Sequence, residues 1–539
     1  MSFIKDIMGT KIRIRVEFED HEVSSDSVTA PTQEEDGAFV MELPDAFEGD
    51  IDMCERAVLA ANYPAIREAV SRHLERISKK KTQAQNRRLT GRDSDDGIRV
   101  REVRYRVDGE IGRFAFNTHE VVVDENVVFK SADMFPAQRG KAYYQSQGFR
   151  EVGMFLGATG ASYRKTCEWL NRLRRQEGEG TPLNTLRDAT EAEGKRVLDF
   201  WAVKTNTVLD AWGVDDDHPP TIELCENPKQ IAKRSQASRG EVREAFVAAE
   251  IPEALQDEVK SNPVPYECPE QSVNICSDGV LAKKQREKRR CPGIPADSAG
   301  SDDKTTKRLN HKTATIQHDG KRYTFVAATY VNLFRTILAF VLNNGFQYLR
   351  LCFFTDGEKS LKNALVEAFS WHPAIFVILD WHHIEKKCAE HLSMALKGRK
   401  LRNEHLDHVT RLLWYGATPS AIDYLRQIPE RHIKAPDYID KLCAYLDDRR
   451  SMIPCYAIRK RLGLRNSSNP VEKANDQLVS ARQKHQGMSW SQEGSLALAA
   501  LCAVNKNRHR RPWLEGHVIP FTLDPIKDED VQRVLDNAA

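Results

Sequence analysis

No stretch of this chain can span a bilayer. The longest apolar run, near "TILAFVLNNGF" at 336–346, falls short of the roughly 20 residues required. The opening "MSFIKDIMGTKIRIRV" lacks a sustained apolar segment, so no secretory signal is expected. Cysteine is thinly spread. Its 11 residues include no C-x-x-C pair, which gives no ground for a zinc ribbon and reads as reduced thiols in the cell interior rather than a disulfide framework. Charge of one sign is missing too: 80 Lys and Arg against 78 Asp and Glu leave a net +2, so there is no global basic field. Walker A, dinucleotide-binding Gly-rich and Ser-hydrolase elbow motifs are all absent, as are internal repeats and low-complexity tracts.

What is present is a soluble composition, 40% hydrophobic and 29% charged, in a chain of 539 residues, long enough for two to four domains. The near-neutral total hides basic clusters at 79–88, 283–290, 397–402, 459–465 and 506–511. One such cluster is ordinarily a solvated helix face; several together favour a phosphate backbone as partner. "KIRIRVEFED" alternates as a strand, "CERAVLAANYPAIREAVSRHLERISKKK" reads as a helix, and "KTQAQNRRLTGRDSDDG" as a linker, giving a first region at 1–96. A small antiparallel β region follows at 97–135, then a helical region at 136–265. Within it, "FREVGMFLGATGASYRKTCEWLNRLRRQ" has the pattern of a helix-turn-helix, with Ser162 capping a basic second helix to Arg175. A plain helical hairpin fits equally well. Arg164, Lys165, Arg172 and Arg174 are its candidate DNA contacts, with Lys283, Lys284 and Arg482 added from later basic segments.

From about 266 to 515 the pattern becomes strand, hairpin, helix, strand, helix, strand, helix, an α/β sheet layout with helical segments inserted at about 398–465; 516–539 is a tail. Carboxylates mark this region. "SVNICSDGV" reads as a strand ending at Asp278, and "YLRLCFFTDG" places Asp356 after a second apolar run. Glu472 opens a helix in "NSSNPVEKANDQLVSARQKHQG", with Pro470 in its first turn. Each has a bland alternative, a turn Asp-Gly or a helix N-terminal acid. Converging, they would repel one another unless a hard cation lay between them, which suits Mg²⁺ or Mn²⁺ rather than Zn²⁺. In "VILDWHHIEKK", Asp380 ends a third apolar run with His383 three residues on; the bland alternative is a helix-capping Asp, and Trp381 reads as core. Cys388-x-x-His391 and His405-x-x-His408 form a rival zinc pattern on segments that read as helix.

The segments "SDGV", "TDGEKSLKNAL…AIFVILDWHHIEKK" and "NPVEKANDQLVSARQKHQGMSWSQEGSLALAAL" together resemble the transposases of bacterial insertion sequences, the Kra-type and Lre-type groups related to the Mutator superfamily. The resemblance covers roughly 268–510. It departs from the family pattern in "NSSNPVE", where relatives often have "GSGPVE", and in lacking the N-terminal Cys motif. It implies an RNase H-like DDE catalytic domain with an all-helical insertion. Asp278, Asp356 and Glu472 would hold two Mg²⁺ or Mn²⁺ ions, and Asp380 and His383 would form a flanking D-x-x-H element that tunes catalysis. Implied with these are double-stranded DNA as partner, at element ends and target, a homodimer or higher oligomer on DNA, and a cytoplasmic, nucleoid-associated location in a bacterium. Two alternatives stay open: a nuclease of the same fold that cuts without joining strands, and a catalytically silent DNA-binding protein.

Overall fold

The computed structural model describes residues 32–33, 39–40, 51–90, 98–135, 137–140, 142–158, 162–176, 180–215, 218–285, 308–484 and 488–523. The strand expected at 11–20 lies outside them, as does most of the basic stretch 283–290. The chain is mixed α/β and forms two compact units: residues 1–146 with 168–181, and residues 147–167 with 182–539.

In the first unit, β1 (Thr32–Gln33) pairs with β2 (Phe39–Val40), and α1 (Ile51–Thr90) follows. The linker expected at 81–97 is helical as far as Thr90, and its remainder, 91–97, lies outside the described residues; "KTQAQNRRLT" contains neither Gly nor Pro and is rich in good helix formers. α1 packs on a five-stranded sheet ordered β5–β4–β3–β7–β6, from β3 (Ile98–Gly109), β4 (Gly112–Val123), β5 (Asn126–Lys130), β6 (Gln138–Arg139) and β7 (Tyr144–Gln145). Tyr105, Val107 and Phe116 form its apolar centre.

The second unit begins with α2 (Gln147–Ala158) and the start of α3 (Tyr163–Leu173). Ser162 Oγ accepts from Lys165 N at 3.2 Å, the cap expected from sequence, but α3 stops at Leu173, two residues early. The long α4 (Leu183–Ala211) and the short α5 (Pro228–Arg234), α6 (Arg239–Ala248) and α7 (Gln256–Lys260) lead into the sheet. Its strands are β8 (Ser272–Lys283), β9 (Arg308–His318) and β10 (Lys321–Ala327), then, after α8 (Tyr330–Asn343), β11 (Arg350–Thr355), α9 (Lys359–Phe369) and β12 (Ile375–Leu379).

The strand order is β10–β9–β8–β11–β12, with β9 antiparallel to both neighbours and β8, β11 and β12 mutually parallel. The β9–β10 hairpin turns at Asp319-Gly320, both at positive φ, as that dipeptide predicts. Two corrections to the expected boundaries follow. β8 does not end at Asp278; its pairing with β9 continues to Lys283. Nor does residue 265 separate a DNA-binding region from the sheet, because α4 lies against α8 and the late helix α16 (Gln492–Lys506).

Alternation along the central strands buries both faces of the sheet. Leu351 and Phe353 of β11 face one apolar layer, made by α4, α8, α9 and α16. Cys352 and Phe354 face the other, made by α10 (Trp381–Ala395) and the insertion helices α11 (Arg399–Trp414), α12 (Thr418–Arg426) and α13 (Asp437–Asp448). The insertion is therefore one wall of the sandwich. The chain then passes through α14 (Tyr456–Arg461) to α15 (Asn469–Asn475), a π-helix at Asp476–Lys484, α16 and α17 (Arg510–Gly516). The single helix expected after Pro470 is thus broken into α and π windings. Among the described residues no helix is long and apolar enough to cross a membrane.

Candidate active site

Strand register gathers the carboxylates. The last β8–β11 pair is Cys276 with Phe354, so Asp278 and Asp356 lie two residues further along neighbouring parallel strands. The last β11–β12 pair is Thr355 with Leu379, so Asp356 and Asp380 are the next residues there, and Asp380 N donates to Thr355 O at 2.9 Å. Three aspartates thus form one row across three strands. α15 packs on β8 and β9 and brings Glu472 to them; Glu472 Oε1 stands 3.6 Å from His383 Nε2.

The row's members have different surroundings. Asp278 is raised from 3.8 to about 6, mainly by burial; Asp356 and Glu472 push it further up, while the Gly279 N–H and His383 oppose them. Its Oδ1 accepts from Gly279 N at 2.7 Å and its Oδ2 from Asn475 Nδ2 at 2.8 Å. Asp356 Oδ1 accepts from Glu358 N at 2.7 Å, an Asx turn leading into α9. Asp380 is fully buried. Its Oδ1 accepts from His383 N at 3.0 Å and its Oδ2 from Ser468 N. Asp380 thus caps α10, the bland alternative open to it from sequence, while its second oxygen ties in the residue just ahead of α15, so it fixes the two helices that carry His383 and Glu472. Trp381, half-buried, packs against Trp414 and Tyr456 at the edge of the core, with ring centroids at 4.8 and 5.1 Å.

Several neighbours were not singled out from sequence. Lys312 of β9 is buried, its Nζ 4.0 Å from the Tyr330 ring centroid and 3.8 Å from Glu358 Oε2, while Tyr330 Oη donates to that same Glu358 oxygen at 3.0 Å. A Cβ on Gly279 would come within 3.1 Å of Lys312 Nζ, so this glycine makes room beside Asp278 rather than a turn. Gly357 does need its freedom: φ is +83°, and Arg449, from the end of the insertion, donates Nη2 to its carbonyl at 2.9 Å. Asn475, three residues after Glu472, was findable as the same face of one helix. Lys312 and Arg449 become neighbours only through the hairpin register and the packing of the insertion.

Two expected DNA contacts are corrected. Arg174 is buried at 2% exposure, with Nε donating to Glu110 O at 3.0 Å and Nη1 to Thr181 Oγ1 at 3.4 Å. Arg482 is fully buried in the π-helix; it lies 4.7 Å from the Tyr163 ring and 5.1 Å from Trp490, and donates Nε to Gly157 O at 3.0 Å. Both hold helices and loops together. Arg164, Lys165, Arg172 and Lys283 are exposed, and Lys284 is half-buried. Arg172 lies 5.7 Å from the ring of Trp169, which is itself 58% exposed.

The rival zinc pairs do not form a site. Cys388 is core, His391 Nδ1 lies 3.2 Å from Tyr438 O, and His405 is bonded to Tyr424 and His432. Among the described residues no three His, Cys, Asp or Glu side chains are close enough together to hold a metal ion. Asp356 and Glu472 both push Asp278 up, so these carboxylates repel it. The row's chemistry fits a cation: all the ionised donors are oxygens, and the raised Asp278 marks a place that disfavours its own negative charge. No family model and no curated protein sequence matches the chain.

Proposed function

We propose that this chain is a metal-dependent DNA strand-cleaving and strand-transferring enzyme, a DDE transposase of the bacterial insertion-sequence type, with an RNase H-like sheet in its second unit. The observation that carries this reading is the carboxylate row: Asp278 and Asp356 side by side on parallel strands, with Glu472 brought over them by α15. The order β10–β9–β8–β11–β12, with β9 alone reversed, supports an RNase H-like sheet. Asp278, Asp356 and Glu472 would hold two Mg²⁺ or Mn²⁺ ions, which when bound would activate an attacking oxygen and stabilise a leaving one on a phosphodiester. His383, 3.6 Å from Glu472, would accept or relay a proton. Asp380 keeps both where they are. The exposed Arg164, Lys165, Arg172 and Lys283 would meet phosphates of double-stranded DNA. A homodimer or higher oligomer on DNA, and a place at the bacterial nucleoid, belong to the same reading.

The test uses a labelled duplex carrying the DNA that flanks the coding region, with purified protein and Mg²⁺ or Mn²⁺. Asp278→Ala, Asp356→Ala and Glu472→Ala should each abolish cleavage and leave DNA binding largely intact. Near-wild-type cleavage by one of them removes that residue from the site. A second reading, a catalytically silent DNA-binding protein, is favoured by the lack of a preformed three-residue metal site among the described residues. Its signature is DNA binding by the wild-type chain with no cleavage at any Mn²⁺ concentration.

A further inference from the structure

We propose that Asn475 is a fourth member of the cation site, presenting its amide oxygen to a divalent ion while its Nδ2 fixes the Asp278 carboxylate. This rests on the reading of Asp278 and Glu472 as cation-holding residues. Asp278 Oδ2 can only accept when ionised, so the amide must turn its NH₂ toward it, and the 2.8 Å bond fixes which end of Asn475 points there. The other end, Oδ1, is then directed away from that bond, and it is a buried atom without a hydrogen-bond partner on a residue 6% exposed. A buried carbonyl oxygen left unmet costs about 1–3 kcal/mol, which a folded chain ordinarily avoids.

Position supports the assignment. Asn475 follows Glu472 by one helical turn, so the two side chains share a face of α15, and α15 lies on β8 and β9 beside Asp278. Asn475 is also the last residue before the winding changes to a π-helix, a distortion that often accompanies functional sites. A neutral oxygen is the donor such a place calls for. The carboxylates already repel one another, and an amide carbonyl adds a hard ligand without adding charge.

The experiment is calorimetric titration of Mn²⁺ into the full-length, DNA-free, metal-stripped protein, with melting temperatures recorded in parallel. Asn475→Ala should bind Mn²⁺ about ten- to a hundredfold more weakly than wild type, as loss of a supporting ligand does. Asn475→Asp, which keeps an oxygen in place, should bind within about tenfold of wild type. Asn475→Leu, of similar shape with neither the orphan oxygen nor the Nδ2 donor, should lose Mn²⁺ affinity, and in metal-free buffer it should melt no lower than Asn475→Ala. Wild-type affinity in the Ala and Leu variants, alongside lost binding in Asp278→Asn, would overturn the role of Asn475 and leave the carboxylate site standing. Unchanged Mn²⁺ binding in Asp278→Asn and Glu472→Gln would sink the carboxylate site itself. Failure of both Ala and Leu variants to fold would make Asn475 a structural residue and overturn the proposal.

Discussion

Asp278 and Asp356 are neighbours by register: each stands two residues beyond the Cys276–Phe354 pair that ends the β8–β11 ladder. No bond joins them. They are together because two parallel strands stop pairing at the same level, and that leaves two like charges facing the sheet's carboxyl end. The geometry is costly to the bare protein and useful to one that takes up a cation.

The first prediction concerns pH. Asp278 is shifted from 3.8 to about 6, so the folded chain holds this proton more tightly than the unfolded one. The stability contributed is complete below about pH 4 and is lost as pH rises through about 6, on the order of 3 kcal/mol in all. Asp278→Asn in metal-free buffer should therefore melt a few degrees higher than wild type at pH 7.5, and its stability should vary less between pH 4 and 6. Identical pH profiles for the two proteins would show that Asp278 is not strained. Mn²⁺ should raise the wild-type melting temperature and leave that of the Asn variant nearly unchanged.

Asp380 and His383 should separate cleanly. Asp380→Ala strips two backbone N–H groups of their acceptor and should cost about 2–4 kcal/mol, at roughly 1–2 kcal/mol for each cap removed. Its cleavage defect should be accompanied by an early melt. His383→Ala should melt normally, bind Mn²⁺ normally, and cleave about ten to ten thousand times more slowly. Collapse of Mn²⁺ binding in His383→Ala would make the imidazole a ligand instead.

The loop carrying Asp356 is held by the insertion. A Cβ on Gly357 would sit 2.7 Å from Arg449 Nε, at a φ of +83° that other residues adopt with strain. Gly357→Ala should cost about 1–3 kcal/mol. Arg449→Ala frees the Gly357 carbonyl and should slow cleavage while the circular dichroism spectrum stays that of wild type. Unaltered cleavage by Arg449→Ala would mean the loop holds its shape without the insertion.

DNA affinity should follow exposure. Alanine at Arg164, Lys165 and Arg172 together should weaken binding to duplex DNA and reduce the slope of log affinity against log salt by about one for each phosphate no longer neutralised. Arg482→Ala should leave that slope alone and lower the melting temperature, because its guanidinium is clamped between Tyr163 and Trp490. A parallel fall in the salt slope for Arg482→Ala would return that residue to the DNA surface.

The strands and helices of 272–395 were legible because each apolar run there ends on a strong signal: Asp319-Gly320, Gly345, Asp380. Asp356 and Asp380 were legible for the same reason, as acids at the ends of apolar runs; Asp278 lies inside β8, and Glu472 was legible as a first-turn acid after Pro470. What sequence could not show was which acid also braces a distant segment. Asp380 looks like Asp356 on paper; only the Ser468 N–H, far along the chain, shows that Asp380 ties in the start of α15 as well as capping α10. Basic residues misled for a related reason. Arg174 and Arg482 stand in basic segments, yet a guanidinium can be buried when carbonyls and rings receive it, and those partners come from distant segments. Local composition marks what a residue can do, and long-range packing decides which of those things it does.

The insertion between β12 and α15 also sets an order of events during synthesis. Asp278 and Asp356 can be aligned as soon as β11 has left the ribosome and paired with β8. Glu472 and Asn475 arrive only after the whole of α11–α14 has been made, and the Ser468 N–H that Asp380 awaits comes just ahead of them. A nascent or truncated chain ending within the insertion would therefore carry the strands and two of the acids, but neither the third acid nor α16, which covers one face of the sheet. Any cutting activity that depends on all three is withheld until α15 has been made, which is a form of timing written into the topology.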